Sequence, residues 1–410
     1  MKRLKYACYT TNLSISVVAT LSPLLFVTFH SLYNISYTLL GLLVLVYFLA
    51  QLFVDLAFTF FSHRFNIPLA VKLTPVLSVI GLLVYGFAPW LFPGSVYTGL
   101  LAGTLLFSMS NGFTEVLISP VIAAIPSDDP DREMSKLHSV FAWGVVGVVL
   151  VSTLYLQLFG GENWQFLPLL LMAVPLCSFL LYIGVEIPRM ARPEKVSGTF
   201  RYLKDKRVWV CVAAIFLGGA AECTMSQWCS GYLEQALGIS KIWGDIFGAA
   251  AFSVMLGLGR SLYAKYGRRI SLVLLAGIVS SAVCYLVAAL SFRPLTGLLA
   301  CGLTGFCTSM LWPGNLIVAS DRFPDGGVFI FALMAAGGDF GAAIGPQMVG
   351  IVTDSAMNNP TLLALAEHLS QSPEQLGMRL GMLIGMLFPL AAIPVFLSIR
   401  KDRKELEKDG

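Results

Sequence analysis

Two carboxylates lie where an apolar chain should carry none. Glu115 sits in Phe107-Ser108-Met109-Ser110-Asn111-Gly112-Phe113-Thr114-Glu115-Val116-Leu117-Ile118-Ser119-Pro120, and Glu222 in Gly218-Gly219-Ala220-Ala221-Glu222-Cys223. At the centre of a spanning helix an acid costs about 2.5–3.5 kcal/mol on insertion scales unless it is paired, protonated or turned toward water. Such residues mark a route for a proton or a polar solute. Glu115 admits two readings: a proton site, or a structural acid hydrogen-bonded to Asn111 one turn before it. No Lys or Arg shares its apolar run, which favours the first. Glu222 either accepts a hydrogen bond from a substrate hydroxyl or ties to Gln227 or a neighbouring helix.

Helical spacing puts Glu222, Ser226 and Cys229 on one face, with Gln227 at its edge. Polar-ligand sites combine a few placed carboxylate and amide groups with aromatic surface. A sugar ring offers hydroxyls to the first and C–H groups to the second. Trp228 is either that aromatic face or a residue of the interfacial belt. Trp312 stands mid-run beside Pro313, where belt residues do not sit, and is read as a cavity residue. Asn12, Asn111, Asn315 and Asp339 are the further polar candidates, Asp339 within Gly337-Gly338-Asp339-Phe340-Gly341. Trp143 reads as core packing. His138 reads as a helix-end residue near Asp131 and Glu133.

The elements that carry these groups are membrane helices. The chain has 410 residues, 57% hydrophobic and only 12% charged, with a mean hydropathy of +0.78. Soluble domains carry about 25% charged residues. Spans of ~20 apolar residues are expected at about 6–29, 37–61, 68–89, 96–124, 134–159, 165–186, 208–235, 241–264, 269–291, 294–319, 327–353 and 378–399, too long and too apolar for barrel strands. The fold class is therefore all-α, with twelve transmembrane helices in two six-helix bundles: 1–186, a cytoplasmic linker 187–207, and 208–400, followed by a tail 401–410. With the N-terminus inside, nearly all Lys and Arg fall in loops on that side. The opposite loops hold only Lys241, Arg293 and Arg379. That asymmetry places both termini in the cytoplasm. An internal repeat fits the split: Gly112-Phe113 precedes Pro120 by the same spacing as Gly305-Phe306 precedes Pro313. The eight cysteines lack metal-ligand spacing and read as small core hydrophobes. No P-loop is present, so ATP does not drive transport. No cofactor, metal or nucleic acid is expected, and a monomer is.

The segment Arg260-Ser261-Leu262-Tyr263-Ala264-Lys265-Tyr266-Gly267-Arg268-Arg269 resembles the cytoplasmic loop motif of the major facilitator superfamily, G-x-L-x-D-R-x-G-R-R. A degraded first copy reads Thr59-Phe60-Phe61-Ser62-His63-Arg64-Phe65-Asn66. The resemblance implies gating roles for Arg64, Arg260, Lys265 and Arg268, with Asp55 a gating or helix-end contact of the second span. Glu115 followed by Ser119-Pro120 looks like the E-x-x-x-[NS]-P arrangement of the fucose permease branch of sugar–proton symporters. Glu222 with Ser226-Gln227-Trp228 and Tyr232, and Met310-Leu311-Trp312-Pro313-Gly314, are similar to that branch too. The branch's acid in the first span is absent. The resemblance implies proton-coupled uptake of a neutral polar solute, a monosaccharide or glycoside, in a bacterial inner (plasma) membrane. Rocking of the two bundles would expose a central cavity lined by Glu115, Glu222, Gln227, Trp312, Asn12 and Asn315. The fifth span, Trp143-Gly144-Val145-Val146-Gly147-Val148, lacks the proline of drug–proton antiporters, which argues against drug efflux. Open alternatives are an uncoupled sugar facilitator, an exporter of an amphipathic or lipid-like compound, and a non-transporting receptor.

Overall fold

The structure, a computed structural model, describes residues 2–61, 64, 66–127, 130–188, 199–267, 269–324 and 327–409. Among these residues there is no strand. The main helices are α1 (Lys2–Tyr33), α2 (Tyr37–Phe61), α3 (Ile67–Gly86), α4 (Val96–Ala123), α5 (Pro130–Phe159), α6 (Phe166–Tyr182), α7 (Lys206–Leu237), α8 (Lys241–Tyr266), α9 (Ile270–Leu290), α10 (Pro294–Arg322), α11 (Gly327–Asn358) and α12 (Pro373–Asp409). Eleven are long and apolar enough to cross a membrane; α6 is shorter. Two short helices, Ala88–Leu91 and Pro360–His368, lie in connections. Helix ends follow local chemistry. The Asn66 side chain caps α3 and Asp205 caps α7, while Gly238 closes α7 in a left-handed conformation.

Three helices are irregular where proline or packing demands it. A proline removes the hydrogen bond to the carbonyl four residues earlier. Pro175 does this to Leu171, and α6 breaks at Met172. Pro313 does it to Ser309, and α10 breaks between Thr308 and Leu311. α8 opens with a π-helical turn, Asp245–Ala250. There Asp245 is fully buried, bonded to Ser230 and paired with Lys241 at 3.3 Å.

The chain forms two compact units, residues 1–35 with 46–194 and residues 36–45 with 195–410. In the first, α3 and α4 pack most extensively; in the second, α7 and α11 do. Small residues permit those contacts. A Cβ on Gly341 would collide with the Phe216 carbonyl, and one on Gly219 would stand 2.5 Å from the Gly338 carbonyl. The repeat glycines hold matching places. Gly112 on α4 lies against Val54 and the Gln51 carbonyl of α2, and Gly305 on α10 against the Phe252 carbonyl of α8. The second unit includes the first turns of α2. There the Asp354 carboxylate accepts from the Tyr37 and Thr38 amides at 3.0 and 2.7 Å, and the Tyr37 hydroxyl donates to Glu374.

Candidate functional site

The first unit holds an acid cluster on α2 and α4. Gln51 Nε2 donates to Glu115 Oε2 at 2.8 Å, and Asn111 Nδ2 donates to Gln51 Oε1 at 2.5 Å. Gln51 and Asn111 are buried, whereas Glu115 is exposed. Asp55 follows Gln51 by one helical turn and lies within electrostatic range of Glu115. Two carboxylates therefore share a site held by two amides. No Lys or Arg pairs with Glu115 among the described residues. The Glu115 and Asn111 side chains meet through Gln51, which sequence reasoning missed. Its signal is the spacing: Gln51 and Asp55 stand at i and i+4 in an otherwise apolar helix. Asp55, assigned by sequence to gating, lies in this cluster.

In the second unit, Arg260 on α8 donates from Nη2 to Glu222 Oε1 on α7 at 3.1 Å. Its Nε donates to the Ser309 carbonyl at 3.1 Å. That carbonyl is the one Pro313 leaves without an intrahelical donor. The break in α10 thus fixes the guanidinium, and the guanidinium fixes Glu222. The other Glu222 oxygen, Oε2, is buried and has no hydrogen-bond partner among the described residues. Cys223 lies within electrostatic range of both Glu222 and Asp339, so Asp339, 2% exposed on α11, borders the pair. The Trp312 ring packs on Gly338 and is half-buried. The loop-motif reading of Arg260 hid its role here as the partner of Glu222.

Other candidates are occupied structurally. Asn12 donates to the Leu137 carbonyl at 2.7 Å, tying α1 to α5. Asn315 donates to Leu311 at 2.6 Å and to Ala214 at 3.4 Å, both carbonyls, and is buried. Trp228 is fully buried and its indole donates to the Pro346 carbonyl at 2.8 Å, so it is neither belt residue nor free platform. Gln227 is half-buried and makes no hydrogen bond to the described residues. Arg379 is not a loop residue: it is buried in α12 and donates to the carbonyls of Ala289 and Ser291. Arg64 and Lys265 are exposed, each beside an aromatic ring, Phe61 and Tyr266. Arg268 lies outside the described residues.

Two features of the first unit stand apart from the cluster. Glu133 accepts from the Tyr9 hydroxyl at 2.6 Å and pairs with Lys136 at 2.9 Å and Lys5 at 3.3 Å. The Tyr9 hydrogen bond, then the one from Lys136, hold its carboxyl down at about 2. Beside this network opens a largely apolar cavity of about 730 Å³, lined by Leu13, Val17, Trp143, Gly147 and Val148, with Lys136 and Tyr9 among its polar residues. Trp143 is 70% exposed, contrary to the core role expected for it. A tryptophan in a helix rich in glycine and valine packs inward only where a neighbour covers it, and no described residue covers this one.

Among the described residues the apolar helices repeat one glycine contact in each unit and carry acids within their spans. Residues 7–346 match the profile of the Major Facilitator Superfamily. The chain belongs to that superfamily, a multi-pass integral membrane protein that transports rather than catalyses. It is similar in structure to a bacterial homologue of the human lysosomal transporter Spinster in an inward-facing, occupied conformation (TM-score 0.73, 14% identity, 97% of this chain and 96% of that one). A D-xylose–proton symporter matches with TM-score 0.67 and 13% identity over 96% and 98% of the two chains. The E. coli fucose:proton symporter FucP matches with TM-score 0.57 and 15% identity over 95% and 98%. At these identities the likeness shows the fold. No curated protein sequence matches the chain.

Proposed function

We propose that this protein is a proton-coupled transporter of the fucose permease-like branch that takes up a neutral polar solute, a monosaccharide or glycoside, by alternating access. It works in the plasma membrane with both termini cytoplasmic. The observation that carries the reading is the division of labour between two acids. Glu115 shares its site with Asp55 and two amides, and no cation pairs with it among the described residues. An acid so placed in a span is stable when protonated and is a natural proton carrier. Glu222 is the opposite case: Arg260 donates to one of its oxygens, while the other has no donor among the described residues. A sugar hydroxyl supplies that donor. Asp339 borders the same site, and Trp312 offers an aromatic face. The solved sugar–proton symporters of the same fold support this reading.

Binding measured on purified protein tests recognition. An unpaired buried polar group costs about 1–3 kcal/mol, so Glu222→Ala and Trp312→Ala should weaken binding of a neutral sugar roughly ten- to a hundredfold while the protein stays folded. If both variants keep wild-type affinity for every sugar that binds, this site does not recognise sugar. The second reading then leads: export of an amphipathic compound, favoured by the apolar cavity with Lys136 and Tyr9 among its lining residues.

A further inference from the structure

α9 and α10 bring two thiols together. Cys284 Sγ and Cys307 Sγ lie 4.0 Å apart, in S–H···S contact. The approach is built into the backbones: a Cβ on Gly277 of α9 would stand 2.5 Å from the Cys307 carbonyl. The Thr304 hydroxyl lies against Cys284 and the Ser280 hydroxyl against Cys307. Both cysteines are half-exposed, whereas Cys301 on the same helix is fully buried. Cys307 stands two residues before the α10 break, whose Ser309 carbonyl holds Arg260. A covalent bond at Cys307 would therefore tether the part of α10 that must bend if the Glu222 site is to rearrange.

We propose that Cys284 and Cys307 are an oxidation site that forms a reversible disulfide between α9 and α10. Hydrogen peroxide is the oxidant. A thiolate attacks one peroxide oxygen, the O–O bond breaks, and hydroxide leaves with the electron pair, giving a sulfenic acid. The second thiol attacks that sulfur, the S–O bond breaks, and water leaves. Overall two thiols and one peroxide give one disulfide and two waters. The sulfurs must close by about 2 Å to reach bonding distance, a movement within reach of side-chain rotation.

The test uses the full-length protein in detergent or nanodiscs. After graded peroxide treatment and alkylation, peptide mass spectrometry should find a Cys284–Cys307 link at doses that leave the other six cysteines alkylatable, and dithiothreitol should reverse it. Hydrogen exchange at residues 308–312 should slow on oxidation in wild type and stay unchanged in Cys284→Ser. If the serine variant does not fold, a bifunctional thiol reagent applied to wild type should bridge the same two residues and slow the same amides. Peroxide doses that oxidise either sulfur to sulfinic acid without a link, or links spread among other cysteine pairs, would overturn the proposal. So would a link that leaves exchange at the break unchanged.

Discussion

At the residue scale, the second unit turns on how Glu222 is compensated. Removing Arg260 leaves a half-buried carboxylate without its cation. Arg260→Ala should cost about 1–3 kcal/mol, read as a lower melting temperature of the purified protein. Adding Glu222→Gln should recover most of the loss, because a neutral amide needs no cation. A double variant as unstable as the single one would mean that Arg260 acts through Ser309 rather than Glu222. Glu133 gives a pH prediction. Its folded value of about 2 lies below the ordinary ~4.3 of a glutamate. A depressed carboxyl stabilises the fold at pH above the ordinary value and loses that contribution as pH falls through about 2. The Tyr9–Glu133–Lys136 network should therefore persist at pH 4. A carboxyl titration of Glu133 with a midpoint near 4 would contradict it. Glu115, Asn111 and Glu222 were legible because each interrupts an apolar run. Their partners Gln51 and Arg260 were not, because partner choice depends on which helices meet, and spacing within one helix does not report that.

At the element scale, the twelve apolar segments were legible almost to their ends. Length, proline and glycine punctuation and capping asparagine or aspartate act locally, so one sequence suffices. What escaped is the irregular geometry inside spans. The break of α6 at Met172 and that of α10 before Leu311 were within reach from Pro175 and Pro313. The π turn at Asp245–Ala250 was not: it accompanies a buried Asp245 held by Ser230 and Lys241, a tertiary arrangement. Burial of Arg379 in α12 was hidden for the same reason, since its acceptors lie on α9 and in the turn after it. Packing of α7 on α11 yields a sharp contrast. Gly341→Val has no space beside the Phe216 carbonyl, whereas Gly257 has nothing within 4 Å of an added Cβ. Gly341→Val should abolish recovery of monodisperse protein by size-exclusion chromatography, and Gly257→Ala should leave the yield near wild type. Equal yields would mean that the α7–α11 contact is not needed for assembly.

At the scale of the whole molecule, superfamily membership makes the chain a transporter. We propose that Glu115 carries the coupled proton. Glu115→Gln preserves size and the hydrogen bond with Gln51 while removing the titrating group. The direct measurement is solute-induced proton movement in proteoliposomes, with wild type and Glu115→Gln compared across a panel of monosaccharides that includes D-xylose and fucose. Wild type should take up protons with at least one sugar and accumulate it down an imposed pH gradient. Glu115→Gln should lose both responses yet retain sugar exchange between the two sides at equal concentration. Undiminished proton uptake and pH-driven accumulation in Glu115→Gln would contradict the claim and move the coupling to Asp55, Asp339 or Glu222.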